Sequence, residues 1–144
     1  MVKQGDLVFV DSNFFIALFN PSDSLYQEAL KISQKIKKDN PLLYISNLIF
    51  LEIVTILAQR VSRKAATSLG NHLVKDKQLE IVHIDKQLNE LTWEIFKSIR
   101  RKNVSFVDCS VLAVMKTEGI RHLLTFDKED FASLKRKYRF SFYP

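Results

Sequence analysis

The chain has 144 residues, 47% hydrophobic and 26% charged, which fits one soluble domain with a buried core, expected to span residues 1–144. Lys and Arg total 22 against 16 Asp and Glu, and the resulting charge of +6 favours a polyanionic partner without excluding a small acidic substrate. The lone Cys109 rules out an internal disulfide, the N-terminal residues lack the apolar stretch of a signal peptide, and Ser46, Asn47, Glu52 and Thr55 make the most apolar region too polar to span a membrane, so a cytoplasmic protein is expected.

The run Leu7-Val8-Phe9-Val10 is short and β-rich, and Asp11-Ser12-Asn13 suits the turn from a strand into a helix. Leu25, Ala29, Ile32 and Ile36 recur at helical spacing until Asn40-Pro41 stops the helix. Residues 42–45 read as the second strand; Ser46 caps a helix reaching about Arg60, and Ser62 a further one reaching about Asp76. A third strand is expected over 79–84, then a helix capped by Asp85 with the stripe Leu88, Leu91, Thr92, Ile95 and Ile99. The next helix covers roughly 106–118, with Gly119 as its left-handed end; strands follow at 122–125 and, at an edge, 138–143.

Strands separated by helices indicate an α/β fold, a three-layer α/β/α sandwich around a mainly parallel, roughly five-stranded sheet, because parallel neighbours need crossover connections. In open parallel sheets ligands bind beyond the carboxyl ends of the strands, where Asp11 and Asp127 would emerge. Glu52, in the second turn of its helix, and Asp108, in the first turn of another, could approach the same end.

Each of these four acids stands in an apolar stretch, and a dehydrated carboxylate needs hydrogen bonds, a counter-charge or a metal ion. Structural roles compete with function. Asp11 could cap the first helix, Ser105-Phe106-Val107-Asp108 has the spacing of a capping box, and so do Asp127 and Asp130. Glu52 has no such explanation, since Leu48 and Ile56, one turn away on either side, offer it no partner. If the four converge, their repulsion calls for a cation. Oxygen-only donors suit Mg²⁺ or Mn²⁺, whereas His72, His83 and His122 lie far apart and Cys109 is solitary, so zinc spacing is missing. Such a site can hydrolyse a phosphodiester by activating water and stabilising the leaving oxygen.

The segments FVDSNFFIALF, SNLIFLE, SFVDCSVLAVM and LLTFDKEDF resemble, in order and across most of the chain, the four motif regions of PIN-domain (PilT N-terminus) nucleases. The resemblance implies metal-dependent RNA cleavage, with Asp11, Glu52, Asp108 and Asp127 as the catalytic and metal-binding acids. It implies supporting roles for Ser12, Asn13 and Thr125, the last in the Thr-x-Asp pattern, and a capping or outer role for Asp130. Ser12 stands where Thr is common and keeps the hydroxyl. Small members of this size resemble VapC-type toxins of toxin-antitoxin pairs, which implies a homodimer and an antitoxin laid over the active site. A PIN nuclease that processes RNA, and a silent PIN scaffold that binds RNA or protein, are the alternatives.

Basic groups at Arg60-Arg63-Lys64, Arg100-Arg101-Lys102 and Lys135-Arg136-Lys137 could steer a phosphate backbone or merely solvate helix ends. Phe14, Phe15, Phe19 and Phe50 could stack on bases, but their helical spacing also suits core or dimer contacts. A dehalogenase-type phosphatase would need an Asp where Asn13 stands, and a nucleotide fold needs a glycine-rich loop, whereas Gly5, Gly70 and Gly119 are isolated. Cys109 has no placed histidine partner and reads as a small buried residue.

Overall fold

The computed structural model describes residues 1–144. Five parallel strands form one sheet in the order β3-β2-β1-β4-β5. They are β1 (Leu7–Val10), β2 (Leu42–Ser46), β3 (Leu79–Val82), β4 (His122–Leu124) and β5 (Ser141–Phe142). The central strands carry apolar side chains at successive positions because the sheet is covered on both faces. Helices α1 (Ser12–Leu18), α2 (Tyr26–Asp39), α3 (Asn47–Arg60) and α4 (Arg63–Lys75) pack on one another, and α5 (Lys86–Ser98) packs on α6 (Phe106–Glu118). Two short helices, α7 (Lys128–Ala132) and α8 (Lys135–Tyr138), precede the last strand. This is the three-layer α/β/α architecture expected, with the sheet wholly rather than mainly parallel.

Local chemistry sets the helix ends. Ser46, Ser62, Asp85 and Ser105 each accept a hydrogen bond from a backbone N–H three residues on, at 2.8 to 3.2 Å. Asn40 and Gly119 close α2 and α6 in the left-handed conformation, with φ of 52° and 68°. Helix α6 is buried from Cys109 through Met115, so it is apolar all round rather than striped.

Three expected boundaries differ. The third strand stops at Val82 because the N–H of Ile84 turns aside to the Asn47 side chain, at 2.8 Å, and leaves the ladder. The fifth strand shrinks to Ser141–Phe142 because Tyr138 belongs to α8, which Arg139 ends with a φ of 54°. The fourth ends at Leu124, one residue short of Thr125.

The sheet order positions the site. From β1 the chain steps outward through β2 to β3, then returns to place β4 and β5 on the other side of β1. The boundary between β1 and β4 is therefore the topological switch point, where crossover connections diverge and leave a crevice. Val10 pairs with Leu124 across it, and Asp11 N–H continues the join by donating to the Leu124 carbonyl at 2.8 Å.

Candidate active site

The two residues that follow this pairing are Asp11 and Thr125. The Thr125 hydroxyl, fully buried, donates to Asp11 Oδ2 at 2.8 Å and accepts from the Asp127 N–H at 3.0 Å and from Asn13 Nδ2 at 3.2 Å. Asn13 Oδ1 accepts from the Phe126 N–H at 3.1 Å, so its amide stitches α1 to the segment after β4. Asp11 Oδ1 accepts from the Ser12 N–H at 2.8 Å, which makes Asp11 both the cap of α1 and a member of this network. The network explains how residues more than 110 positions apart hold a fixed relation: one hydroxyl with several partners couples the ends of two strands.

Burial raises the Asp11 carboxyl from 3.8 to about 7, against the Thr125 hydrogen bond; the charges of Asp108 and Asp127 add to the rise and the Ser12 N–H opposes it. Asp108 is half-buried at the third position of α6. There it closes a reciprocal capping box: Ser105 N–H donates to its Oδ2 at 2.9 Å, and its own N–H donates to Ser105 Oγ at 3.0 Å. Its carboxyl is also raised, chiefly by burial, against the two Ser105 hydrogen bonds and with help from Asp127 and Asp130. The structural role foreseen for Asp108 is thus real, and it leaves the other carboxylate oxygen free.

Glu52 is half-buried on α3 and has no hydrogen-bonding or ion-pair partner in the protein. Asp127 is exposed, and its side chain does not cap α7. The four acids therefore differ in burial: only Asp11 is enclosed, at 5% exposure, although all four lie in apolar sequence.

All four line one pocket of about 200 Å³, together with Ser12, Asn13 and Ser105. Ile16, Leu25 and Ile56 supply its apolar wall. Thr125 lies beneath this surface and acts through Asp11 and Asn13. Larger hollows elsewhere, of about 490 and 530 Å³, hold at most one carboxylate. The four acids are not, however, gathered into a ready-made ligand cluster: no three His, Cys, Asp or Glu side chains stand close enough for that. Asp11 and Asp108 are each held by their own local donors, Asp11 by Thr125 and Ser12, Asp108 by Ser105.

Two lining residues extend the expected set. Asp23 brings a fifth carboxylate from the loop between α1 and α2, with Oδ1 accepting from the Leu25 N–H at 2.9 Å. In sequence it looks like a turn residue and nothing more. Arg60, two helical turns beyond Glu52, is the pocket's only cation and pairs with none of the acids. Its basic neighbour Arg63 instead lines the groove between α3 and α4. Phe14 and Phe15 are core residues, Phe50 packs against the core, and Phe19 is exposed. Cys109 is buried, and its thiol is pushed up to about 11, mainly by burial and further by Asp108, which removes it as a nucleophile at neutral pH.

The acidic pocket lies at the switch point of the five-stranded parallel sheet, and the sequence as a whole shows the family: the chain is a member of the PIN domain family, matched over residues 8–137. Within it, the chain is similar to the 23S rRNA-specific endonuclease VapC20 of Mycobacterium tuberculosis. The two are 28% identical over 121 residues, 84% of this chain and 89% of the relative. The crystal structure of that relative, a sarcin-ricin loop cleaving toxin, superposes with a TM-score of 0.78 at 27% identity, covering 88% of this chain and 94% of the other. VapBC2 from Rickettsia felis, bound to promoter DNA, shares the fold at a TM-score of 0.62 and 17% identity, over 88% of this chain and 92% of that one. FitAcB from Neisseria gonorrhoeae does so at 0.63 and 13%, over 95% and 96%.

Proposed function

We propose that this chain is a single-domain, divalent-metal-dependent endoribonuclease and the toxin of a VapBC-type pair, acting in the cytoplasm as a homodimer restrained by an antitoxin. The observation that carries the reading is that four acids from four separate segments line one pocket at the carboxyl edge of the sheet. The likeness to VapC20 supports the choice of RNA as substrate and of toxin as role, and its name makes 23S rRNA the first substrate to test. No helix is long and apolar enough to cross a membrane.

The donor set fits a hard cation. Every candidate ligand is an oxygen, and the enclosed Asp11 feels the charges of Asp108 and Asp127 with no protein cation paired to it. Asp11, Glu52, Asp108 and Asp127 would hold Mg²⁺ or Mn²⁺; when bound, the ion supplies charge neutralisation and an acidified water for in-line attack on phosphorus. Thr125 holds the Asp11 carboxylate in one orientation, and Asn13 holds the Asp127 segment against α1. Asp108 is oriented by Ser105, and Ile16, Leu25 and Ile56 limit water around the acids. Arg60 is placed to grip a phosphate oxygen of the RNA, a role suited to an unpaired guanidinium.

The purified protein should cleave RNA with Mg²⁺ or Mn²⁺, stop on chelation, and lose at least a hundredfold in rate as Asp11→Asn or Asp108→Asn while remaining folded. Full cleavage by both variants would overturn the site. Growth arrest on expression, relieved by the same substitutions and by the product of an adjacent gene, checks the toxin role; harmless expression of an active enzyme would point to RNA processing instead.

A further inference from the structure

Three aromatic rings stand outside the core and outside the acidic pocket. Trp93 is 50% exposed and Phe96 39%, both on the outer side of α5, and half-buried Phe106 opens α6. None of them belongs to the hydrophobic core or to the partly buried residues packed on it. They form a continuous track: Trp93 and Phe96 lie 5.8 Å apart and nearly parallel, at 16°, and Phe106 follows 6.0 Å from Phe96. Large rings exposed to water have a cost, and folding gains little from these.

The track ends on the opening turn of α6, on the side of that helix facing away from the acids. Phe106 lies between Ser105 and Asp108, both of which line the pocket. Residues two apart on a helix project to nearly opposite sides, so the Phe106 ring turns to α5 while Asp108 turns to the acids. The loop between the two helices is tied down by Arg101, whose guanidinium donates to Ser133 Oγ at 3.3 Å and to the Glu129 carbonyl at 3.5 Å. One exposed cation stands against the rings, and further ones follow α5 in the loop to α6. Lys97 lies 5.8 Å from the Trp93 ring centre while pairing with Glu94, and Arg100 and Lys102 have no acidic partner.

We propose that Trp93, Phe96 and Phe106 are a stacking platform for unpaired bases of the RNA, on the far side of α6 from the acids, with Arg100 and Lys102 holding the backbone. Every base has a π face, and an exposed, nearly parallel ring pair with a cation against it suits single-stranded nucleic acid. Bases inside a helix are already stacked, so the platform selects loops and single strands over duplex. The proposal rests on the nuclease reading for its substrate, but its binding step can be read without cleavage.

Trp93 is the only tryptophan, so its fluorescence reports this surface alone. An Asp127→Asn background, chosen because that side chain makes no cap hydrogen bond, would be titrated with a single-stranded RNA octamer and with a duplex of equal length. The octamer should quench Trp93 and the duplex should not. In the same background Trp93→Ala, followed by fluorescence anisotropy of a labelled octamer, should bind roughly 5- to 100-fold more weakly, with Trp93→Phe recovering most of the loss. Equal affinity of Trp93→Ala and its parent overturns the platform. So does a Trp93→Ala protein that binds RNA normally but changes oligomeric state in sedimentation, since the face is then a protein interface. Quenching by the octamer, together with no cleavage of any RNA, 23S rRNA included, by the parent protein with Mg²⁺ or Mn²⁺, supports the platform and refutes the nuclease reading.

Discussion

Asp11 combines two roles that a sequence motif cannot separate: it caps α1, and it is the most enclosed charge at the pocket. With its carboxyl raised from 3.8 to about 7, the folded metal-free protein keeps a proton that the unfolded chain releases near pH 4. Stability contributed by that proton is complete below pH 4 and declines as pH rises towards 7, by on the order of 4 kcal/mol. Asp11→Asn removes the ionisation but can still cap the helix. Its metal-free melting temperature should therefore fall less between pH 5 and 8 than that of the parent, the remaining slope coming from Asp108, whose carboxyl is also raised. Parallel slopes in thermal denaturation would place the ionisation elsewhere. Thr125 shows the limit of motif reading at this scale: its place beside Asp127 was visible in Thr-x-Asp, whereas its bond to Asp11 exists only because β1 and β4 are neighbours.

Among the elements, helices were the most legible, because a cap residue and an apolar period are both local signals. Ser46, Ser62, Asp85 and Ser105 each start the helix expected of them. Short pieces were less so: β5 was expected at the sheet edge but longer, α7 and α8 have too few residues to show a period, and Arg139 gives no sign of the left-handed turn that ends α8. Helix packing yields its own prediction at Gly70, where α4 meets α3. A Cβ there would lie 3.4 Å from Phe50 Cζ and 3.5 Å from Val54 Cγ1, a fit that needs at most a small shift. Gly70→Ala should stabilise the fold by about 0.5 to 1 kcal/mol through helix propensity, measured by urea denaturation. Destabilisation would mean that the α3–α4 contact cannot yield.

For the whole molecule, the pocket is a concentration of acidic side chains. Five carboxylates and one unpaired arginine line it in a protein of net charge +6, so local and global electrostatics have opposite signs. On the proposed function, the general basic field would attract RNA, and the acids would hold its scissile region off until a cation screened them. Binding to the folded state alone stabilises it, so Mg²⁺ or Mn²⁺ at a hundredfold excess over its Kd should raise the melting temperature by roughly 5 to 10 °C at pH 7.5. The shift should shrink in Asp11→Asn and Asp127→Asn. Equal shifts in parent and variants would place the ion outside the pocket.

Hydrophobic period and cap chemistry are written locally, so the sequence by itself determined the α/β class, most element positions and the four acidic candidates in their order. Strand order is not local. Only the tertiary structure decided that β1 and β4 adjoin, that Thr125 bonds to Asp11, that Asp23 and Arg60 enter the same pocket, and that the acids share it without yet forming a ligand cluster. Burial was likewise a tertiary outcome: each of the four acids follows or adjoins an apolar residue, but a side chain's exposure depends on what packs over it, and only Asp11 is covered.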